Sequence, residues 1–168
     1  MNIKSNLGHN LYILKKKEGI YMIKEDLNLF LSNLNVFYRK LQNYHWNIIG
    51  EDFFNVHAKL EELYDNINDQ IDEVAEHILS IGEMPIGTMK DYLETAQVQE
   101  ATNEKKCSKH IFETILKDYN ILIENVEKIK EDADNQNKYS TSALMDEYLL
   151  DYEKTVWMIK QLLMEKNN

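Results

Sequence analysis

Helix breakers are scarce in this 168-residue chain, which has five glycines and one proline. Beside abundant Leu, Glu, Lys, Asn and Ile, their scarcity argues for long helices and a single all-α domain. The lone cysteine, Cys107, excludes an internal disulfide and a CxxC pair. Positive charge is short as well: 19 Lys and Arg stand against 29 Asp and Glu, a net charge of -10. Such a surface repels DNA and anionic membranes and attracts cations. No apolar run approaches the roughly 20 residues of a membrane span, and Leu11 to Leu14 is too short for a signal-peptide core, so the expected location is the cytoplasm. GxSxG, HExxH and GxxxxGK[ST] are all missing. The residues three before His9, His45, His57, His77 and His110 are Asn6, Gln42, Phe54, Val74 and Cys107. No Glu-x-x-His exists, which excludes the ordinary di-iron site inside one bundle.

What is present divides into two parts. Residues 1–21 lack steady periodicity and carry Lys4, Lys15, Lys16 and Lys17 against Glu18, which reads as a flexible basic N-terminal arm. Residues 22–168 read as four long helices. In the first, Leu27, Leu31, Leu34, Tyr38, Leu41 and Ile48 alternate by four and three, and His45 falls on the same stripe. Gly50 ends it, and Glu51-Asp52 supplies the cap and acidic first turn of the next. The second helix, about 52–81, turns Val56, Leu60, Leu63, Ile67, Val74 and Ile78 to a core and ends at Gly82. A connector with Pro85 follows, with a short helix expected near 88–93 capped by Thr88. The third helix runs from about 104 to 133 with Ile111, Ile115, Leu122, Val126 and Ile129 as its spine. The fourth is expected to be capped by Thr141 or Ser142 and to reach about 165. The long central connection makes this a four-helix bundle with a crossover, its second and third helices parallel.

A polar ridge borders the core stripe of the second helix. His57 and Glu61 are four apart, as are Asp72 and Glu76, so each pair shares one side of the helix. With His45 these are the ligand types of iron, manganese or zinc. One chain cannot assemble them, because fifteen residues of straight helix part His57 from Asp72 by roughly 22 Å. Two copies of the helix lying antiparallel across a two-fold axis between Tyr64 and Asp65 would set His57 of one opposite Asp72 of the other. His45 would then join on one side and Glu76 on the other.

His45-Trp46, His57 twelve on from His45, Glu61 four beyond it, and the later Asp72 and Glu76 resemble the ferroxidase region of the Dps family, the DNA-binding proteins from starved cells or miniferritins. The likeness also covers NLNVFYRKLQNYHWN, the GTMKDYLETA connector and Trp157 in KTVWMIK, nearly the whole chain after Met22. It implies a ferritin-like four-helix bundle with a short helix in the crossover, and twelve such subunits in a shell. It further implies Fe(II) bound at the two-fold interfaces by His45, His57, Glu61, Asp72 and Glu76, with His45, His57, Asp72 and Glu76 carrying the catalysis. Trp46, beside His45, reads either as core packing or as a group whose indole N–H orients a ligand. The iron would be oxidised, with hydrogen peroxide or dioxygen as oxidant, and stored as Fe(III) mineral, protecting against oxidative stress. No organic cofactor is implied. Glu61 stands where many members carry Asp. Among iron-entry acids of the last helix, Glu153 matches a family position four before Trp157, whereas Ala143 stands at another and Asp146 and Glu147 are its substitutes. The alternative reading is a DNA-compacting shell with a vestigial metal site, the arm supplying phosphate contacts.

Overall fold

The computed structural model describes residues 3–164, with side chains from Met22 onward, so the side chains of the expected arm, 1–21, lie outside the described ones. Among the described residues there are five helices: α1 (Ile3–Asn47), α2 (Phe53–Ser80), α3 (Met89–Thr95), α4 (Ser108–Asn135) and α5 (Tyr139–Leu163). None is long and apolar enough to cross a membrane.

The four-three pattern of α1 predicts its core face well. Leu27, Leu31, Leu34, Leu41 and Ile48 are buried, and Tyr38 is partly so. Ile23, Phe30 and Phe37 are buried too, because α1 packs against α2, α3 and α4 rather than one neighbour. Pairs along the helices give the directions. His45 meets His57 and Lys24 meets Glu83, so α1 and α2 are antiparallel. Lys40 meets Asp118 and Asp26 meets Lys128, which makes α4 antiparallel to α1 and parallel to α2. Asn66 with Asp151 and His77 with Thr141 run α5 against α2. This is the crossover bundle, with α3 as the short helix expected in its long connection.

Both helix-ending glycines sit where a side chain is disfavoured, Gly50 at φ +135 and Gly82 at φ +87. A Cβ at Gly50 would also stand 3.1 Å from Asp52 Oδ1. The crossover is pinned to α1 by two asparagines. Asn28 Oδ1 accepts from the Ile86 amide at 2.8 Å, and Asn33 Oδ1 accepts from the amides of Gln97 and Val98 at 2.7 and 3.0 Å. Asn33 Nδ2 also donates to Asn125 Oδ1 of α4 at 2.6 Å. The end of the connection is stitched to the α1–α2 corner, where the Ile49 amide donates to the Lys106 carbonyl at 3.0 Å and the Lys106 amide to that of Asn47 at 3.2 Å.

Between α1 and α4 lies a buried ion pair, Lys40 Nζ standing 3.0 and 2.8 Å from the two Asp118 oxygens. Burial pushes the Asp118 carboxyl up, and Lys40 works against it. The start of α5 differs from expectation: Lys138 is the N-cap residue, and Thr141 and Ser142 lie buried inside the helix. Their hydroxyls are spent on tertiary bonds. Thr141 Oγ1 is 2.8 Å from His77 Nε2, and Ser142 Oγ donates to Asp134 Oδ1 at 2.6 Å.

Candidate metal centre

The corner at 48–52 turns the last residues of α1 back onto the first turns of α2 and brings His45 and His57 face to face. Their ring centroids are 3.6 Å apart and their planes 21° from parallel. The two rings are locked reciprocally. His45 Nδ1–H donates to the His57 carbonyl and His57 Nδ1–H to the His45 carbonyl, each at 2.8 Å. The second bond has a backbone reason, since the His45 carbonyl is one of the last four of α1, which a helix leaves without an internal partner. A carbonyl oxygen can only accept, so both imidazoles carry their proton on Nδ1. In the neutral ring that tautomer leaves the lone pair on Nε2. That is the state in which histidine binds a metal, one ring nitrogen oriented by a backbone acceptor and the other open.

Aromatic neighbours finish the enclosure. Phe53 stacks on His57 at 5.1 Å and 22°, and Tyr64 stands edge-on to His45 at 5.4 Å and 86°. His45 is only 8% exposed and His57 is half-buried. Trp46, expected as a second orienting group, is 61% exposed, and within the chain the His57 carbonyl orients His45.

Asp72 and Glu76 lie farther along α2, both exposed, on an open depression also lined by Asn68 and Ile71. Neither makes a hydrogen bond or ion pair among the described residues, whereas Glu73 between them accepts from the Tyr148 hydroxyl at 2.8 Å. Unbroken helix separates Asp72 from His57 by roughly 22 Å, and Glu76 by roughly 28 Å, at 1.5 Å per residue. One chain therefore brings together the two histidines and, elsewhere, the two acids. No three His, Cys, Asp or Glu converge on a metal-sized space among the described residues. Glu61 is exposed one helix turn after His57, where its Oε1 accepts from the Tyr64 hydroxyl at 3.2 Å. Phe53 and Tyr64 were not singled out from the sequence as part of this cluster. The available signal was spacing, Tyr64 falling seven after His57 and three after Glu61 on one helix face.

The expected entry acids differ among themselves. Asp146 Oδ2 is held at 3.0 Å by Lys130 Nζ, which also binds Ser142 Oγ at 2.9 Å. Glu147 and Glu153 are exposed and make no hydrogen bond or ion pair among the described residues. Ala143 is exposed beside Glu73, Glu76 and Glu147.

The ferritin-like domain family matches residues 24–167. The DNA protection during starvation protein 2 of Bacillus anthracis is 39% identical over 139 residues, which cover 83% of this chain and 94% of that protein. The crystal structure of a Dps protein from Vibrio cholerae O1, described as a member of a broad superfamily of ferritin-like diiron-carboxylate proteins, matches with a TM-score of 0.85 at 35% identity. It covers 88% of this chain and 92% of that one. A Dps protein from Bacillus brevis matches with a TM-score of 0.84 at 33% identity, over 88% and 98% of the two chains. By sequence and by fold, the chain belongs to the Dps family of miniferritins, within the ferritin-like superfamily.

Proposed function

We propose that the protein oxidises Fe(II) at sites shared between two subunits and stores the Fe(III) product inside a closed shell of identical chains. The observation that carries this reading is the reciprocal His45–His57 lock, which leaves two unspent Nε2 atoms that no third His, Cys, Asp or Glu among the described residues joins in a metal-sized group. Asp72 and Glu76 are two acids without an ion partner among the described residues, and the histidine next to them, His77, has its Nε2 engaged with Thr141 Oγ1 at 2.8 Å. A two-fold axis near Tyr64 and Asp65 joins the halves twice over, because such an interface is self-complementary. Iron is the substrate, and the family's named diiron-carboxylate kinship favours it over zinc. Carboxylate oxygens stabilise Fe(III) more than Fe(II), so the mixed donor set favours oxidation. With hydrogen peroxide, two Fe(II) give up one electron each, and peroxide with two protons becomes two waters. The acidic surface, net -10, draws Fe(II) toward the shell. Glu147 and Glu153 are the acids open for entry, Asp146 being neutralised by Lys130.

Mixing two inactive variants tests the shared site. His45→Ala/His57→Ala chains lack one half and Asp72→Asn/Glu76→Gln chains the other. Reassembled at equal ratio, random pairing makes half the dimers mixed, each with one intact site, so about a quarter of wild-type Fe(II) oxidation returns. A site within one chain would restore nothing. Twelve chains of 19.9 kDa make a particle of about 239 kDa, which light scattering reads directly. Monomeric wild-type protein would overturn the shell.

Shielding of DNA is a second reading, favoured by the names of the relatives and by four lysines against one acid in residues 1–21. It predicts gel-shift binding that weakens steeply with salt and disappears when residues 1–21 are removed.

A further inference from the structure

Glu61 is the ligand candidate whose place is hardest to justify by sequence, since a glutamate on an exposed helix turn has three rotatable bonds and no reason to stay beside the histidines. The structure supplies a reason. We propose that Tyr64 is a positioning residue for the cation site: its hydroxyl holds the Glu61 carboxylate beside the His45–His57 pair while its ring holds His45. This rests on the shared-site reading above and deepens it.

Three contacts define the device. The Tyr64 hydroxyl donates to Glu61 Oε1 at 3.2 Å, leaving Oε2 as the oxygen free for a cation. The ring of Tyr64 meets His45 edge-on at 5.4 Å and 86°. Behind it, Tyr38 braces Tyr64 at 6.0 Å and 80°, and Gln42 Nε2 donates to the Tyr38 hydroxyl at 2.9 Å. Helical side chains lean toward the N-terminus of their helix, so Tyr64 leans toward Glu61 and Glu61 toward His57. A phenolic hydroxyl keeps its proton at neutral pH and so remains a donor. A carboxylate one methylene longer than aspartate reaches this hydroxyl, which assigns a partner to the length of Glu61.

The test is a double-variant cycle read by Co(II) binding to the assembled protein, with Co(II) alone as the titrant. Tyr64→Phe keeps both ring contacts and removes only the donor. It should weaken Co(II) binding about tenfold and shift the visible absorption of the bound Co(II), as loss of a group that orients a ligand does. In a Glu61→Gln background the same substitution should change the affinity less than twofold, because the carboxylate it served is gone. Equal losses in both backgrounds, or no loss in either, would overturn the proposal. Failure of the function reading is separable: Co(II) binding carries the cycle whether or not Fe(II) is oxidised in a parallel assay. Helical circular dichroism and particle size unchanged in Tyr64→Phe would show that the loss is local, and their collapse would place Tyr64 in the scaffold instead.

Discussion

Removing a metal ligand usually leaves a metal-free protein no less stable, because ligands gathered for a cation repel or strain one another without it. His57 should behave in the opposite way. In the metal-free state its Nδ1–H closes the end of α1 at 2.8 Å from the His45 carbonyl, and its ring is stacked between those of His45 and Phe53. A half-buried hydrogen bond contributes about 1 kcal/mol, and aromatic contacts of this kind about 0.5–1.5 kcal/mol beyond the area they bury. His57→Ala should therefore lower stability by about 2–4 kcal/mol, or about 4–16 °C in Tm for a chain of this size. Asp72→Asn, at an exposed side chain without a hydrogen bond or ion pair among the described residues, should change stability by less than about 0.5 kcal/mol. The assay is thermal and urea unfolding of chelator-treated protein at one fixed subunit concentration, which matters because assembly is coupled to stability. Added Co(II) should then raise the Tm of wild type and of neither variant. A His57→Ala protein melting at or above wild type without metal would refute the structural half of this reasoning. Equal losses for His57→Ala and Asp72→Asn would refute the division of the site into a locked half and an open half.

Other substitutions test the scaffold that holds the site. Lys40→Met leaves Asp118 buried without its cation and should cost about 3–5 kcal/mol in urea unfolding, whereas Lys40→Met with Asp118→Leu should recover most or all of that loss. Asn33→Ala removes the acceptor for two crossover amides and the donor to Asn125. It should cost about 2–4 kcal/mol in the same assay, with Asn33→Asp intermediate because it keeps the acceptor. Gly82→Ala forces a side chain onto φ +87 with open space around it, so only backbone strain is paid, about 1–2 kcal/mol by calorimetry.

The bundle was legible because its stripes are regular. Leucines four and three apart mark the buried face of α1, and Gly50 and Gly82 mark the ends of α2 where the backbone turns left-handed. Polar residues inside the core were not legible. Lys40, Asn33, Gln70 and Thr141 read as surface positions by type, and each is buried because a partner distant in sequence satisfies it: Asp118, Asn125, Tyr152 and His77. The same limit misplaced the start of α5, since a hydroxyl that suits a helix cap suits a buried tertiary bond equally well. At the candidate site, the types and spacing of His45, His57, Asp72 and Glu76 implied that a single chain would not bring them together, and among the described residues no three of them meet. The lock between the histidines could not be read from spacing, because each ring bonds a backbone carbonyl, and carbonyls carry no signature in a sequence.

The asparagine pins of the crossover also leave a mark that needs no substitution to see. In a connection without regular structure, backbone amides ordinarily trade their hydrogens for deuterium within seconds. Here the amides of Ile86, Gln97 and Val98 are held by side chains of α1 and not by a neighbouring strand or helix turn. Their exchange is governed by how often α1 lets go of the connection. Slow exchange at these three amides, which lie in the irregular parts of the connection on either side of α3, would therefore act as a clock for detachment of the crossover from the bundle.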